Sequence, residues 1–318
     1  MRIGQNPAKA AKTVEKPKRV TVAVLNFIPF LSGFYEEALD VLKVCLGSLY
    51  ENTGPEHDLL VFDNGSCKEV QQYLLDEHLA GRIQFLILSE KNLGKGGAWD
   101  ILFPAAPGEI VAYTDSDALF SKGWLEASLQ ILETYPNAGM VTSRPFRTRE
   151  ELMEGTLKWA KGNPEVEVSE GQLIPWQTFL EFNLSLGAEE SEIRQKYEET
   201  RDIRLTYKGL TAQVGASHWQ FVAYKKELLQ FTPFQMDRPM GQVLKLDEAM
   251  NSAGLLRLMT AEPYAMNMSN TVPAELRKQG SSLPGRPPAG LGKRILNLPF
   301  IRAGLMGIYN KIFHWYNF

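Results

Sequence analysis

The chain has 318 residues, 44% of them hydrophobic and 22% charged, a globular composition that excludes disorder of the whole chain. Its formal net charge of −3 excludes the basic excess usual in nucleic-acid-binding domains, so no nucleic-acid partner is expected. Cys45 and Cys67 have no metal-ligand spacing, and no run reaches the roughly 20 apolar residues that span a bilayer; the expected setting is cytoplasmic, with the protein free or peripheral on the inner face of the membrane.

In chain order, 1–19 is polar and basic and is expected to be a disordered tail. From Val20 the pattern alternates between strand and helix. Strands are predicted over Val20–Leu25, Leu59–Phe62, Ile83–Leu88 and Ile110–Thr114, with helices over Glu36–Tyr50 and Val70–Leu79. This alternation predicts an α/β fold with a mostly parallel central sheet flanked by helices, whose ligands bind beyond the carboxyl ends of the strands. The expected division is a Rossmann-like nucleotide-binding half over 20–145 and an acceptor half over 146–270, the latter opening with an acidic helical region from Arg149 to Arg204. Thr271–Gly292 reads as a linker rich in Pro, Gly and Ser. The tail 293–318 interleaves Lys293, Arg294, Arg302 and Lys311 with apolar and aromatic residues. Such a segment suits a membrane interface, and equally a helix packed on the body or on a second subunit.

Three loops after predicted strands carry the chemistry: Asp63-Asn64-Gly65-Ser66, Asn92-Leu93-Gly94-Lys95-Gly96-Gly97 and Asp115-Ser116-Asp117. In extended backbone, residues i and i+2 project to the same side, so Asp115 and Asp117 can face one ion. Magnesium is typically held by one or two carboxylates, with substrate phosphates and waters completing its shell. Alone, the pair serves as well to cap the helix predicted over Ser121–Thr134. The glycines of the second loop allow close backbone approach and Lys95 supplies a positive charge for phosphate, or the cluster is a flexible turn before a helix. The phosphate-loop pattern is absent. The dinucleotide pattern fails because Trp99 stands where its third glycine belongs.

Taken in order and spacing, Val61–Ser66, Asn92–Ala98 and Tyr113–Phe120 resemble the family 2 glycosyltransferases, and the resemblance extends over about 20–270. It implies a GT-A-type fold, a nucleoside-diphosphate sugar as donor, UDP- or GDP-linked, and Mn2+ or Mg2+ held by Asp115 and Asp117. It also implies donor contacts from Asp63 and Asn64 to base or ribose, and from Asn92, Gly94 and Lys95 near the nucleotide. Asn26, at the end of the first strand, and Ser116 are placed in the same substrate-binding set. Asp247 and Glu248, before a short helix and Gly254, resemble the family's acidic pair, one of which deprotonates the acceptor hydroxyl; alternatively they serve only as helix N-terminal charge. His218 and Trp219 resemble the segment beside donor sugar and acceptor, where an indole face stacks on a sugar, although a lone Trp is commonly core.

The resemblance implies transfer of a single sugar with inversion to a carbohydrate or lipid-linked hydroxyl, since the Gln-x-x-Arg-Trp motif of processive members is absent. Asn267-Met268-Ser269-Asn270 stands where relatives often carry His-x-Gly-Asn. A retaining transferase of the same fold, a sugar nucleotidyltransferase and a non-catalytic carbohydrate-binding module are the alternatives.

Overall fold

Burial on both faces explains the strands of the first half. β1 (Val20–Asn26) is buried at every position and β2 (His57–Asn64) from Leu59 onward. Both therefore read as continuous apolar runs, as parallel strands covered by helices do. In the computed structural model, residues 6, 12–234 and 243–278 are described. Between the two strands, α1 (Ala38–Asn52) buries Val41, Leu42, Cys45, Leu46 and Leu49, the spacing of one helix face. Next come α2 (Lys68–Leu79), β3 (Phe85–Ser89), α3 (Gly94–Ala105) and β4 (Ile110–Asp115). All pairings among β3, β2, β1 and β4 are parallel.

The chain continues through β5 (Ala118–Phe120), α4 (Trp124–Thr134), β6 (Ala138–Thr142), α5 (Glu154–Gly162), β7 (Val166–Gly171), α6 (Trp176–Ser185) and α7 (Glu190–Glu199). It then forms β8 (Asp202–Tyr207), β9 (Leu210–Val214), β10 (Gln220–Tyr224), the short α8 (Lys225–Leu228), α9 (Leu244–Ser252), β11 (Leu256–Thr260) and β12 (Ala265–Asn267). One ten-stranded sheet runs in the order β3-β2-β1-β4-β10-β6-β11-β9-β8-β7, and β12 pairs with β5 in a separate ribbon. Strands β1, β2, β3, β4, β6, β8 and β11 share one direction, against which β7, β9 and β10 run. The expected α/β architecture with a mostly parallel sheet and flanking helices is present. The reversal at β10 has a functional consequence: its first residues lie at the carboxyl ends of its neighbours β4 and β6.

Two local expectations are corrected. The region from Arg149 to Arg204 is not helical throughout, because β7 interrupts it and pairs antiparallel with β8. Its residues are mostly exposed, so a sheet-edge strand carrying Glu167 and Glu170 has the acidity of a solvent-facing helix. The helix predicted from Ser121 begins at Trp124, because Gly123 has φ of 91° and breaks the helical run.

Residues up to Val272 form one compact unit, so the sheet is continuous across residue 145; a second unit begins at Pro273 and includes α10 (Ala274–Lys278). The basic aromatic tail 293–318 lies outside the described residues. Among the described residues, no helix is long and apolar enough to cross a membrane. Beneath the carboxyl edge, Trp99 is fully buried, stacks on Phe103 with centroids 5.5 Å apart and meets Tyr113 edge-on at 5.4 Å. The residue that breaks the dinucleotide pattern is thus the plug joining α3 to β4.

Candidate active site

The loops after β2, β3 and β4 converge because the first two are tied together. Gly65 has φ of 89°, and a Cβ there would stand 3.0 Å from the Lys91 and Asn92 backbone, so only glycine permits this turn and this approach. The Asn64 side chain donates to Asn92 Oδ1 at 3.0 Å and accepts from the Leu93 amide at 2.9 Å. Asn92 Oδ1 also accepts from the Gly94 amide at 2.8 Å. Gly94 itself has φ of 69° and turns the chain into α3, which aims Lys95 across at β4.

Asn26 and Asp63 occupy a different position from the one the resemblance implies. Both are fully buried. Asn26 Nδ2 donates to Asp63 Oδ1 at 2.8 Å and to Ser66 Oγ at 3.0 Å, and Asp63 Oδ2 accepts from the Ser66 amide at 3.0 Å. Their side chains hold the first loop in shape and do not line the cleft, which corrects their assignment as direct donor contacts.

The cleft encloses about 310 Å3 and has two chemically different walls. One is polar: Asn64, Asn92, Lys95, Asp115, Ser116 and Asp117. The other is apolar and includes Phe27, Ile28, Phe34 and Tyr35. Sequence reasoning missed this second wall, whose only signal was an apolar and aromatic segment lying between a strand and a helix. Ser269 and Asn270 also line the cleft, and the Met268 amide just before them donates to the Asp117 carbonyl at 2.8 Å.

Asp115 ends β4 with both oxygens engaged. Lys95 Nζ lies 2.6 Å from Oδ2, and Tyr113 Oη donates to Oδ1 at 2.5 Å. The Lys95 ammonium also lies 5.5 Å from the Trp99 ring centroid and 5.6 Å from that of Tyr113. Burial and the charge of Asp115 push the Tyr113 phenol well above its usual range. Asp117 differs: its Oδ1 is buried without a hydrogen-bond partner among the described residues. Burial first, and then the Asp115 charge, push its carboxyl up to about 7, with Lys95 opposing. An orphaned carboxylate oxygen beside a second carboxylate is a donor set that fits a hard divalent cation. Among the described residues no three His, Cys, Asp or Glu side chains gather to hold a metal.

Across β4, the Asp115 amide donates to the Trp219 carbonyl at 2.9 Å, which places the turn before β10 against the aspartates. Trp219 is only 7% exposed, packs on Phe182 at 6.1 Å and has a buried indole N–H without a partner among the described residues. Its indole is core, which corrects the sugar-stacking expectation. His218, next to it, remains 28% exposed, and its Nδ1 lies 2.6 Å from Asp247 Oδ2. Asp247 is 1% exposed, and its other oxygen accepts from Arg257, a wholly buried guanidinium in β11. Glu248, adjacent on α9, lines a separate cavity of about 360 Å3 with Arg149 and Glu151. The helix thus delivers Asp247 to His218 and turns Glu248 away. Arg257 went unremarked in the sequence, where its signal was a single Arg in the apolar run from Leu255 to Met259.

This arrangement meets the comparisons with known proteins. Residues 33–181 match the model of glycosyl transferase family 2. The segment covers all three loops and both aspartates. The mostly parallel sheet flanked by helices is the α/β class expected from sequence. An uncharacterized glycosyltransferase of Nostoc sp. strain PCC 7120 is 26% identical over 102 residues, 31% of each chain. The chain therefore spans about a third of the length of this curated relative. Among solved structures, a mannosyltransferase from Pyrobaculum calidifontis, in complex with GDP-Man and Mn2+, aligns at TM-score 0.45 and 17% identity over 78% of this chain and 57% of its own. A 1–349 structure of S. aureus TarS aligns at TM-score 0.44 and 11% identity, covering 78% and 60% respectively.

Proposed function

We propose that this chain is a glycosyltransferase that moves a single sugar from a nucleoside-diphosphate sugar to a hydroxyl acceptor. The observation that carries this reading is Asp117 Oδ1, buried and without a partner among the described residues, on a side chain that lines the cleft with Asp115. In this reading Asp115 and Asp117 hold Mn2+ or Mg2+, which supplies positive charge to a diphosphate leaving group. The aromatic wall at Phe34 and Tyr35 receives the nucleobase, and Asn64 and Asn92 shape the floor beneath the ribose. Lys95, now paired with Asp115, is within the same cleft as an incoming phosphate and exchanges part of its pairing to it. Donor identity is proposed as UDP- or GDP-linked, the acceptor as a carbohydrate or lipid-linked alcohol, and the stereochemical course as inverting.

The test is a thermal-shift series with UDP, GDP and their sugars, with and without Mn2+. A ligand at a hundred times its dissociation constant adds roughly 2.7 kcal/mol of stability. A metal-dependent rise in Tm with one nucleotide supports the reading, and a folded protein indifferent to all of them rejects it.

A further inference from the structure

We infer that His218, held by Asp247, is the group that takes the acceptor proton, in place of either carboxylate of the Asp247–Glu248 pair; this rests on the transferase reading above. Asp247 cannot approach an acceptor hydroxyl as it stands. It is 1% exposed, with one oxygen on Arg257 and the other on His218 Nδ1. Arg257 is locked in turn, donating from Nη1 to the Leu152 carbonyl at 2.8 Å and from Nη2 to the Ala216 carbonyl at 2.6 Å. Glu248 faces another cavity. A general base must come within hydrogen-bond reach of the proton it removes, and neither carboxylate offers that surface.

His218 does. An ionised carboxylate only accepts hydrogen bonds, so Nδ1 carries the proton that points at Asp247, and Nε2 is left with a lone pair. Nε2 makes no hydrogen bond among the described residues, and 28% of the side chain is exposed. Its placement follows from the reversed strand. The turn is pinned by the bridge between Ser217 and Gln220, by the Ser217 amide on Thr142 Oγ1 at 3.0 Å, and by the Asp115 amide on the Trp219 carbonyl. His218 therefore stands at the sheet edge that carries Asp115, one residue from the contact with it.

In the reaction the acceptor oxygen bonds to the anomeric carbon as its proton passes to Nε2. The bond from that carbon to the phosphate oxygen breaks, and its electron pair leaves on the diphosphate. The imidazolium formed is stabilised by Asp247, which is a positioning residue and stays ionised; Arg257 fixes the carboxylate's orientation.

The experiment uses the full chain with Mn2+ and UDP-glucose, UDP-GlcNAc or GDP-mannose as probe donors, with water or simple sugars as acceptors, and follows nucleoside diphosphate release. His218→Ala is expected to lose about 100-fold or more in kcat while donor KM and Tm stay near wild type. Added imidazole should restore turnover in His218→Ala and fail to do so in His218→Ala/Asp247→Asn, a difference that a merely structural Asp247 would not produce. Turnover of His218→Ala close to wild type overturns the proposal. Independently of turnover, diethyl pyrocarbonate should modify His218 in the folded protein, and Asp247→Asn should slow that labelling relative to His57. An unreactive His218 overturns the proposal as well, and where no probe donor turns over, this labelling decides. Failure of the transferase reading is distinct: the wild type then shows no metal-dependent nucleotide binding, and the proton-transfer role falls with it.

Discussion

At the scale of single residues, the two aspartates that look alike in sequence have opposite situations. Asp115 is neutralised by Lys95 and Tyr113, whereas Asp117 has an oxygen with no partner among the described residues. Lys95→Met should therefore leave Asp115 uncompensated, so nucleotide-free protein binds Mn2+ more tightly than wild type while nucleoside diphosphate affinity falls; electron paramagnetic resonance of free Mn2+ reads the first effect and calorimetry the second. Asp117 also predicts a pH effect in metal-free buffer. Its carboxyl is raised from 3.8 to about 7 in the fold, so its contribution to stability is full below pH ~4 and is lost as pH rises through 7. Asp117→Asn removes an ionisation the fold resists, and should raise stability at pH 8 by on the order of 1–3 kcal/mol, a gain that disappears near pH 4 in urea titrations. The Asp-x-Asp spacing was legible in the sequence, but this asymmetry was not, because it depends on Lys95 reaching over from another loop.

At the scale of elements, α9 and β11 are joined by a buried ion pair. Arg257→Met leaves the buried Asp247 carboxylate with His218 as its remaining side-chain partner, and breaking a buried pair in this way typically costs about 3–5 kcal/mol, to be measured by chemical denaturation; a loss under 1 kcal/mol would mean that Asp247 is solvated. The first-half strands and helices were legible because parallel strands buried on both faces give unbroken apolar runs, as at Leu59–Phe62. β7 was hidden, since four consecutive exposed positions at a sheet edge are read as a polar helix. Trp99 was legible as a departure from a glycine pattern but not as a core plug. Trp99→Ala should cost about 3–5 kcal/mol and loosen Lys95, one helical turn away.

At the scale of the whole molecule, a continuous sheet supports both halves of the cleft, and the reversal of β10 brings His218 round to the edge where β4 ends. Native-state hydrogen exchange should be slowest in β1, β4 and β10, which lie inside the sheet, and fastest among its strands in β7 at the edge; equal protection in β7 would contradict the topology. The loops that carry Asn64, Asn92 and Asp115 could be found from the rule that ligands bind at carboxyl ends of parallel strands. His218, Asp247 and Arg257 could each be seen in the sequence, but their convergence depends on β10, α9 and β11 meeting across long stretches of chain, which no local pattern encodes.

The proposed function stands on Asp115 and Asp117 forming a metal-dependent site for a nucleoside diphosphate. Isothermal titration of UDP and GDP into the wild type, Asp115→Ala and Asp117→Ala, each with Mn2+ and with chelator, tests it most directly. Binding of one nucleotide is expected to require Mn2+ in the wild type and to be abolished in both variants. Binding of the same strength in the chelator, or unchanged in the variants, would contradict it.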